Sequence, residues 1–229
     1  MPEVKQVFTI IRRLYSPVAV PWNELLLSTN LVRLGETYKF KEVGQAAPTG
    51  QETTTALVAK AGEFALSENV VPILQLTIQP NLVEAQIAAE TERSDAFVQD
   101  LEKFLMALNP NKKSELEQYT TTHQTIAIVK LAVPFEDLLS DRLRGFLAEK
   151  ARTMLTLPDA EPHIQLSHLS WQVTFRTESN DYIYQPKMLA IEPRAGSKPS
   201  EQLYFTHSPT EFATHMKLLQ ELEATFASS

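Results

Sequence analysis

Two short segments of this chain recur at one spacing. Residues 19–26 read Ala-Val-Pro-Trp-Asn-Glu-Leu-Leu, and residues 132–139 read Ala-Val-Pro-Phe-Glu-Asp-Leu-Leu, 113 positions later. At the same spacing, Leu-Thr-Ile-Gln-Pro at 76–80 matches Leu-Ala-Ile-Glu-Pro at 189–193. The spacing predicts two copies of one unit, each of about 110 residues, which is an ordinary domain size.

The hydrophobic pattern predicts the same order of elements in both copies: strand, helix, several antiparallel strands, helix. Alternating apolar residues indicate the strands, and apolar residues at steps of three and four indicate the helices. We therefore predict an α+β fold, a tandem internal duplication whose sheets are covered by helices. The predicted elements are strand 7–14, helix 22–33, strands 38–41, 74–78 and 83–89 and a helix reaching 108 in copy one, then strand 124–131, helix 134–155, strands 169–175, 189–191 and 203–205 and a helix reaching 226 in copy two.

The copies are predicted to span 1–109 and 118–229, with 110–117 as a linker whose shortness favours one compact body. Ser94 and Ser208 are predicted to cap the closing helices, because serine at this position bonds free backbone N–H groups. The polar loop from Gly44 to Thr55 occurs in copy one only and is predicted to be mobile.

This order of elements is similar to that in each half of the TATA-binding protein, and more loosely to helix-grip proteins that bind lipids and hormones. The resemblance covers the order of elements alone. The chain carries no motif of either family, so no functional residue is transferred from them.

Composition excludes several classes of protein. The net charge of −7 disfavours nucleic acid and anionic membranes as partners. The 229 residues contain no cysteine, which excludes disulfides and thiolate catalysis and favours a reducing compartment. No apolar run reaches the roughly 20 residues needed to cross a bilayer. These features predict a soluble cytoplasmic protein without a membrane partner.

The sequence carries no common catalytic or cofactor motif. Only six glycines occur, and neither phosphate-binding glycine pattern is present. A metal site built from His207, Glu211 and His215 is conceivable, but exposed histidines near a helix end are the favoured interpretation. We therefore expect no cofactor, no metal and no catalytic residues, and we lean against an enzyme.

Four basic residues form the one suggestive group. Arg13 is matched with Lys130, and Lys41 with Arg176, by the alignment of the two copies. If all four lay on one sheet surface, they could contact a partner or phosphates. Ordinary outward charges that keep a sheet soluble explain the same residues.

Three functions follow as hypotheses. The first is a non-enzymatic binding or assembly protein that presents a sheet face or loops to a protein partner. The second is a small apolar ligand enclosed between helices and sheet, with Leu74, Leu76, Val173 and Phe175 as lining residues. The third is nucleic-acid binding through the four basic residues. Each hypothesis is compatible with a homo-oligomer.

Overall fold

The computed structural model describes residues 2–46, 55–132, 134, 168–176 and 182–227, with the backbone alone at 171–176, 182–188, 199 and 227. The chain divides into two compact units. The larger unit comprises Gln6–Ile126 and Pro209–Phe212, and the smaller unit comprises Met1–Lys5, Ala127–Ser208 and Ala213–Ser229. These units overlap with the predicted copies but do not coincide with them, since one division falls inside a strand.

The first part of the chain supplies six strands and four helices. They are β1 (Glu3–Tyr15), α1 (Trp22–Leu25), α2 (Ser28–Thr37), β2 (Glu42–Ala46), β3 (Ala56–Leu66), β4 (Asn69–Gln79), β5 (Leu82–Ile87), α3 (Thr91–Leu108), α4 (Lys113–Leu116) and β6 (Tyr119–Lys130). The described remainder supplies β7 (Leu169–Arg176), β8 (Tyr182–Pro193), β9 (Leu203–Ser208) and α5 (Phe212–Ala227).

The strands form a large antiparallel sheet, so the α+β class predicted from the sequence is confirmed. In the larger unit the order is β2-β3-β4-β5-β1-β6, and in the smaller unit it is β6-β9-β8-β7. The pairings β1–β5, β2–β3, β3–β4, β4–β5, β7–β8 and β8–β9 are all antiparallel.

One face of the larger unit's sheet is buried under helices. Along β1 the side chains of Thr9, Ile11, Arg13 and Tyr15 are buried, and the residues between them are not. Helices α1 to α4 contribute buried residues to the same apolar cluster as these strands. Burial of each large aliphatic side chain stabilises the fold by about 2 kcal/mol relative to exposure.

The closing helices match their predicted apolar stripes. In α3, the residues Phe97, Leu101 and Phe104 are buried at steps of three and four. In α5, Leu219 is fully buried, and Met216 and Leu222 pack against the same cluster in the smaller unit. Periodicity of this strength is the most dependable signal in a sequence.

The predicted helix at 22–33 is two helices in the structure. Helix α1 ends at Leu25, and α2 begins at Ser28. Between them Leu27 takes an extended conformation, with φ −62° and ψ 134°. An extended residue breaks the i to i−4 hydrogen-bond ladder, so the apolar pattern runs across two helical segments.

The predicted strand at 38–41 is wrong. Tyr38 ends α2 and buries its ring against Phe97, at a centroid distance of 5.3 Å. Lys39 has a positive φ of 49°, far from the φ of a regular strand. The strand that follows is β2, which begins at Glu42.

Strand β3 was not predicted, and Gly62 explains its irregular pattern. A Cβ at Gly62 would overlap the Phe40 ring and lie 2.9 Å from the Tyr38 carbonyl oxygen. Glu63 N–H donates to that same carbonyl at 2.7 Å. The predicted mobile loop begins in β2 at Gly44–Ala46, and residues 47–54 of it lie outside the described residues, as does the predicted helix after Pro134.

Neither predicted serine caps a helix. Helix α3 begins three residues before Ser94, whose hydroxyl donates to the Glu90 carbonyl at 2.9 Å. Ser208 ends β9 and bonds His215. The predicted linker 110–117 holds a 3₁₀ turn at Pro110–Lys112 and the short helix α4.

Candidate functional site

One of the four predicted basic residues, Arg13, lies inside the larger unit and not on its surface. Arg13 is 3% exposed and points into the helix-covered side of the larger unit. Lys41 is exposed just before β2, and Lys130 is exposed at the end of β6 in the smaller unit. Arg176 ends β7, and its side chain lies outside the described part. The expectation that Arg13 lies on an outward sheet face is therefore corrected.

Arg13 is held inside by a carboxylate from α3. Its Nη1 donates to Glu102 Oε2, and the Tyr15 hydroxyl donates to Glu102 Oε1 at 2.6 Å. Burial opposes the charged guanidinium, but the hydrogen bond and the charge of Glu102 outweigh it, so the pKa of Arg13 is raised. Burial, followed by the Glu102 hydrogen bond, also raises the pKa of Tyr15. Arg13 is therefore charged and Tyr15 neutral at physiological pH.

An aromatic ring covers Arg13 on its second side. The guanidinium carbon lies 4.4 Å from the centroid of the Tyr119 ring, and Tyr15 meets that ring edge-on at 5.7 Å. A guanidinium over an aromatic face gains electrostatic attraction from the ring quadrupole. Tyr119 is 42% exposed, so it separates the buried ion pair from solvent.

The polar network continues from Arg13 to the surface through α3 and β6. Arg13 Nη2 lies 3.7 Å from Asp95 Oδ1, and His123 Nε2 lies 3.3 Å from that same oxygen. The other ring nitrogen of His123 is 3.8 Å from Glu211 Oε1. These contacts join Arg13, Asp95, His123 and Glu211 in one polar network of the larger unit.

Two threonines fix the segment Pro209–Phe212 within the larger unit. Thr91 Oγ1 accepts from the Phe212 N–H at 2.8 Å, and Thr125 Oγ1 donates to the Thr210 carbonyl at 2.7 Å. The first bond satisfies the Phe212 N–H, which has no partner inside the helix because it lies at the helix N-terminus.

His207, Glu211 and His215, conceivable but disfavoured as a metal site from the sequence, have other contacts in the structure. Glu211 lies beside His123, whereas His215 is fully buried between two hydroxyl groups. Within the described ranges, no group of three or more metal-ligating side chains is present. The alternative of exposed histidines also fails for His215, because the ring packs under β9.

The apolar residues proposed to line a ligand cavity lie on opposite sides of β4. Leu76 is fully buried in the core, but Leu74 is 43% exposed. A bulge between Ile73 and Gln75 inserts one extra residue opposite β5, which turns Leu74 outward. Val173 and Phe175 lie where the backbone alone is described.

The side of the larger unit's sheet that faces away from helices α1 to α4, which we call the outer face, is organised in cross-strand rows. In the first row Ile10 pairs with Gln86, which pairs with Gln75, which pairs with Lys60. The remaining outer-face rows are Arg12, Glu84, Thr77 and Val58, followed by Leu14, Leu82 and Gln79.

The outer face mixes amides, hydroxyls and aliphatic groups with a few charged side chains. Arg12 Nε donates to Glu84 across the strands, and Gln75 Nε2 donates to Thr77 Oγ1 at 3.3 Å. Leu14, 53% exposed, is one of the large apolar side chains that the fold leaves in contact with solvent. Such a surface offers both hydrogen bonds and apolar area, as protein interfaces do.

Sequence reasoning missed the pairing of Arg13 with Glu102, although α3 carried a signal for it. Glu102 follows Leu101 on the buried side of α3. Because a buried carboxylate is costly without a partner, its position indicates a buried cation nearby. The sequence did not show which side of β1 Arg13 faces, because β1 has apolar residues on both faces. A shift of one residue then reverses every side chain of a strand.

No protein-family model, curated protein or solved structure matches the chain.

Among the residues described, no helix is long and apolar enough to cross a membrane.

Proposed function

We propose that this chain is a non-enzymatic binding or assembly protein that presents its outer face to a protein partner. The observation that carries the proposal is the contrast between the two faces of the larger unit's sheet. One face is sealed by helices, and the other holds partly exposed polar and apolar side chains in register. A cytoplasmic location belongs to the same proposal and is motivated by the absence of cysteine.

The charges of the outer face favour protein over nucleic acid. Its arginine, Arg12, is already paired with Glu84, and Arg13 is committed to Glu102 inside the fold. A phosphate-binding surface requires several free cations, and its binding weakens steeply with salt. Lys60 alone does not supply several free cations, and the chain has a net charge of −7.

Internal duplication is the second part of the proposal. The strand succession β1-β5-β4-β3 in the larger unit has the same connectivity as β6-β9-β8-β7. Equivalent contacts support it. Buried Thr9 donates to the Ala89 carbonyl, two residues before α3, and buried Thr125 donates to the Thr210 carbonyl, two residues before α5, both at 2.7 Å.

A second pair of equivalent contacts involves the closing helices. Glu102 in α3 and Glu223 in α5 occupy the same position from the start of their helices. Glu102 accepts from Tyr15 near the end of β1, and Glu223 accepts from the Ala132 N–H just after β6, at 2.6 Å. A duplicated unit provides a second set of strands and an independently variable set of loops, which suits an assembly role.

Affinity capture from the native host tests the proposal. The baits are the wild type, Leu14→Glu on the outer face, and Val32→Glu on α2 as a matched control, because both positions are aliphatic and more than half exposed. We expect one protein to co-purify with the wild type and Val32→Glu and to be lost with Leu14→Glu. Equal recovery from all three baits would contradict the outer-face assignment, and salt-sensitive nucleic acid would favour the alternative.

A further inference from the structure

His215 occupies a closed polar site in the smaller unit. The residue lies in the first turn of α5, and its side chain is fully buried. Its Nε2 is 2.9 Å from Thr206 Oγ1, and its Nδ1 is 2.7 Å from Ser208 Oγ. Both hydroxyls belong to β9, so the ring joins the start of α5 to the strand beneath it.

The hydrogen bonds select one neutral form of the ring. Thr206 Oγ1 donates its only hydroxyl hydrogen to the Ala127 carbonyl at 3.1 Å, so it accepts a hydrogen bond from His215 Nε2–H. A neutral ring with a proton on Nε2 accepts at Nδ1, and Ser208 supplies that hydrogen bond. Both nitrogens of neutral His215 are therefore satisfied.

A protonated ring would find no such match. The proton added at Nδ1 would point at Ser208, whose hydroxyl would have to turn away and accept instead. The ring would carry a charge in a site closed to water, next to a second histidine, His207 of β9. Burying a charge without a counter-charge costs several kcal/mol.

The charged groups of the neighbouring elements are engaged elsewhere. On α5, Lys217 contacts Glu221 at 3.9 Å, and the Glu223 carboxylate accepts from Ala132. Glu211, just before α5, faces His123. On β8, Glu192 contacts His168. On β6, the Ala127 carbonyl accepts a hydrogen bond from Thr206, and Thr206 contacts His215. None of these contacts places a carboxylate on the imidazole.

We propose that His215 is an acid-sensitive latch, whose protonation releases the start of α5 from β9 within the smaller unit. Burial, followed by the charge of His207, lowers the pKa of His215 to about 4. Between that value and 6.5 the unfolded chain binds more protons than the folded one. The latch therefore contributes its full stability above about pH 6.5 and loses it as the pH falls toward 4.

Hydrogen exchange at pH 7.5 and pH 5, corrected for intrinsic exchange rates, tests the latch. Wild-type protection at α5 should fall by up to about thirty-fold at pH 5, while protection at α3 should change less. The variant His215→Gln keeps hydrogen-bonding groups but cannot titrate, so its α5 protection should not depend on pH. His123→Gln, the matched control in the larger unit, should keep the wild-type loss at α5.

Unchanged α5 protection in the wild type, or an undiminished acid response in His215→Gln, would overturn the proposal. If His215→Gln fails to fold, NMR titration of the five wild-type histidines decides the question. One ring titrating well below pH 6 is expected, and five rings titrating near 6.5 would refute the latch. These outcomes are independent of the outer face and its partner.

Discussion

Two neighbouring arginines on β1 contribute differently to stability because their side chains lie on opposite faces of the sheet. Arg13 is buried with Glu102, whereas Arg12, one residue earlier, meets Glu84 on the solvent side. A buried charge that loses its partner keeps its full desolvation cost, but an exposed charge is solvated again by water. The same pair of residue types is therefore expected to differ severalfold in its effect on stability.

Removal of the buried carboxylate should be strongly destabilising. Glu102→Ala strips Arg13 and Tyr15 of their shared acceptor, so we expect the free energy of unfolding to fall by about 3–5 kcal/mol. Glu84→Ala, the matched control, should cost about 0–1 kcal/mol. Chemical denaturation of the three proteins measures both. Similar losses in the two variants would contradict the burial of the Arg13 pair.

Val18 is a second residue-scale feature, because its backbone is strained. The Ala19 N–H bonds the Ser16 carbonyl at 3.2 Å, which closes a turn in which Val18 has a φ of 57°. A β-branched residue is unfavourable in that region by about 1–2 kcal/mol. Asparagine tolerates this conformation and adds no glycine flexibility.

Val18→Asn should therefore raise the free energy of unfolding by about 1 kcal/mol. The side chain is 63% exposed, so the substitution removes little packing. Val32→Asn, at a similarly exposed helical position, should change stability by less than about 0.5 kcal/mol. Thermal melts of the two variants make the comparison. A destabilised Val18→Asn would mean that Val18 has contacts beyond the turn.

At the scale of elements, the sequence predicted those with strong periodicity and missed those shaped by tertiary contacts. Strand β5 and helices α3 and α5 carry long regular patterns, and each was predicted. The residues after Thr37 alternate like a strand for only four positions, and the burial of the Tyr38 ring in the core overrides that short signal. In β3, Gly62 and its polar neighbours hide a strand whose backbone must pass close to Phe40.

Gly62 should be required for β3 to pack. Gly62→Ala adds a Cβ that overlaps the Phe40 ring and crowds the Tyr38 carbonyl, so we expect a loss of about 1–3 kcal/mol in unfolding free energy. Gly44→Ala in β2 is the matched control, because its Cβ would meet no atom within 4 Å. The test is denaturant titration of both variants. Equal stabilities would show that β3 passes Phe40 less closely.

At the scale of the whole molecule, the sequence predicted a repeat but not how the chain divides into compact units. The short sequence matches predict the order of the elements. The division into compact units depends on contacts between residues that are far apart in the sequence. Strand β6 is split between the two units at Ile126 and Ala127, although 110–117 was the predicted linker. A sheet face as the candidate site stays a prediction, and the burial of Arg13 was missed because β1 is apolar on both faces.

The most direct measurement of the central claim is photocrosslinking in the native host. One variant carries a photoreactive residue at position 14 on the outer face, in place of Leu14. A second variant carries it at position 32 on α2, in place of Val32. A discrete crosslinked protein is expected from position 14 and not from position 32. Crosslinks to the same protein from both positions, or from position 32 alone, would contradict the assignment of the outer face as the surface that binds the partner.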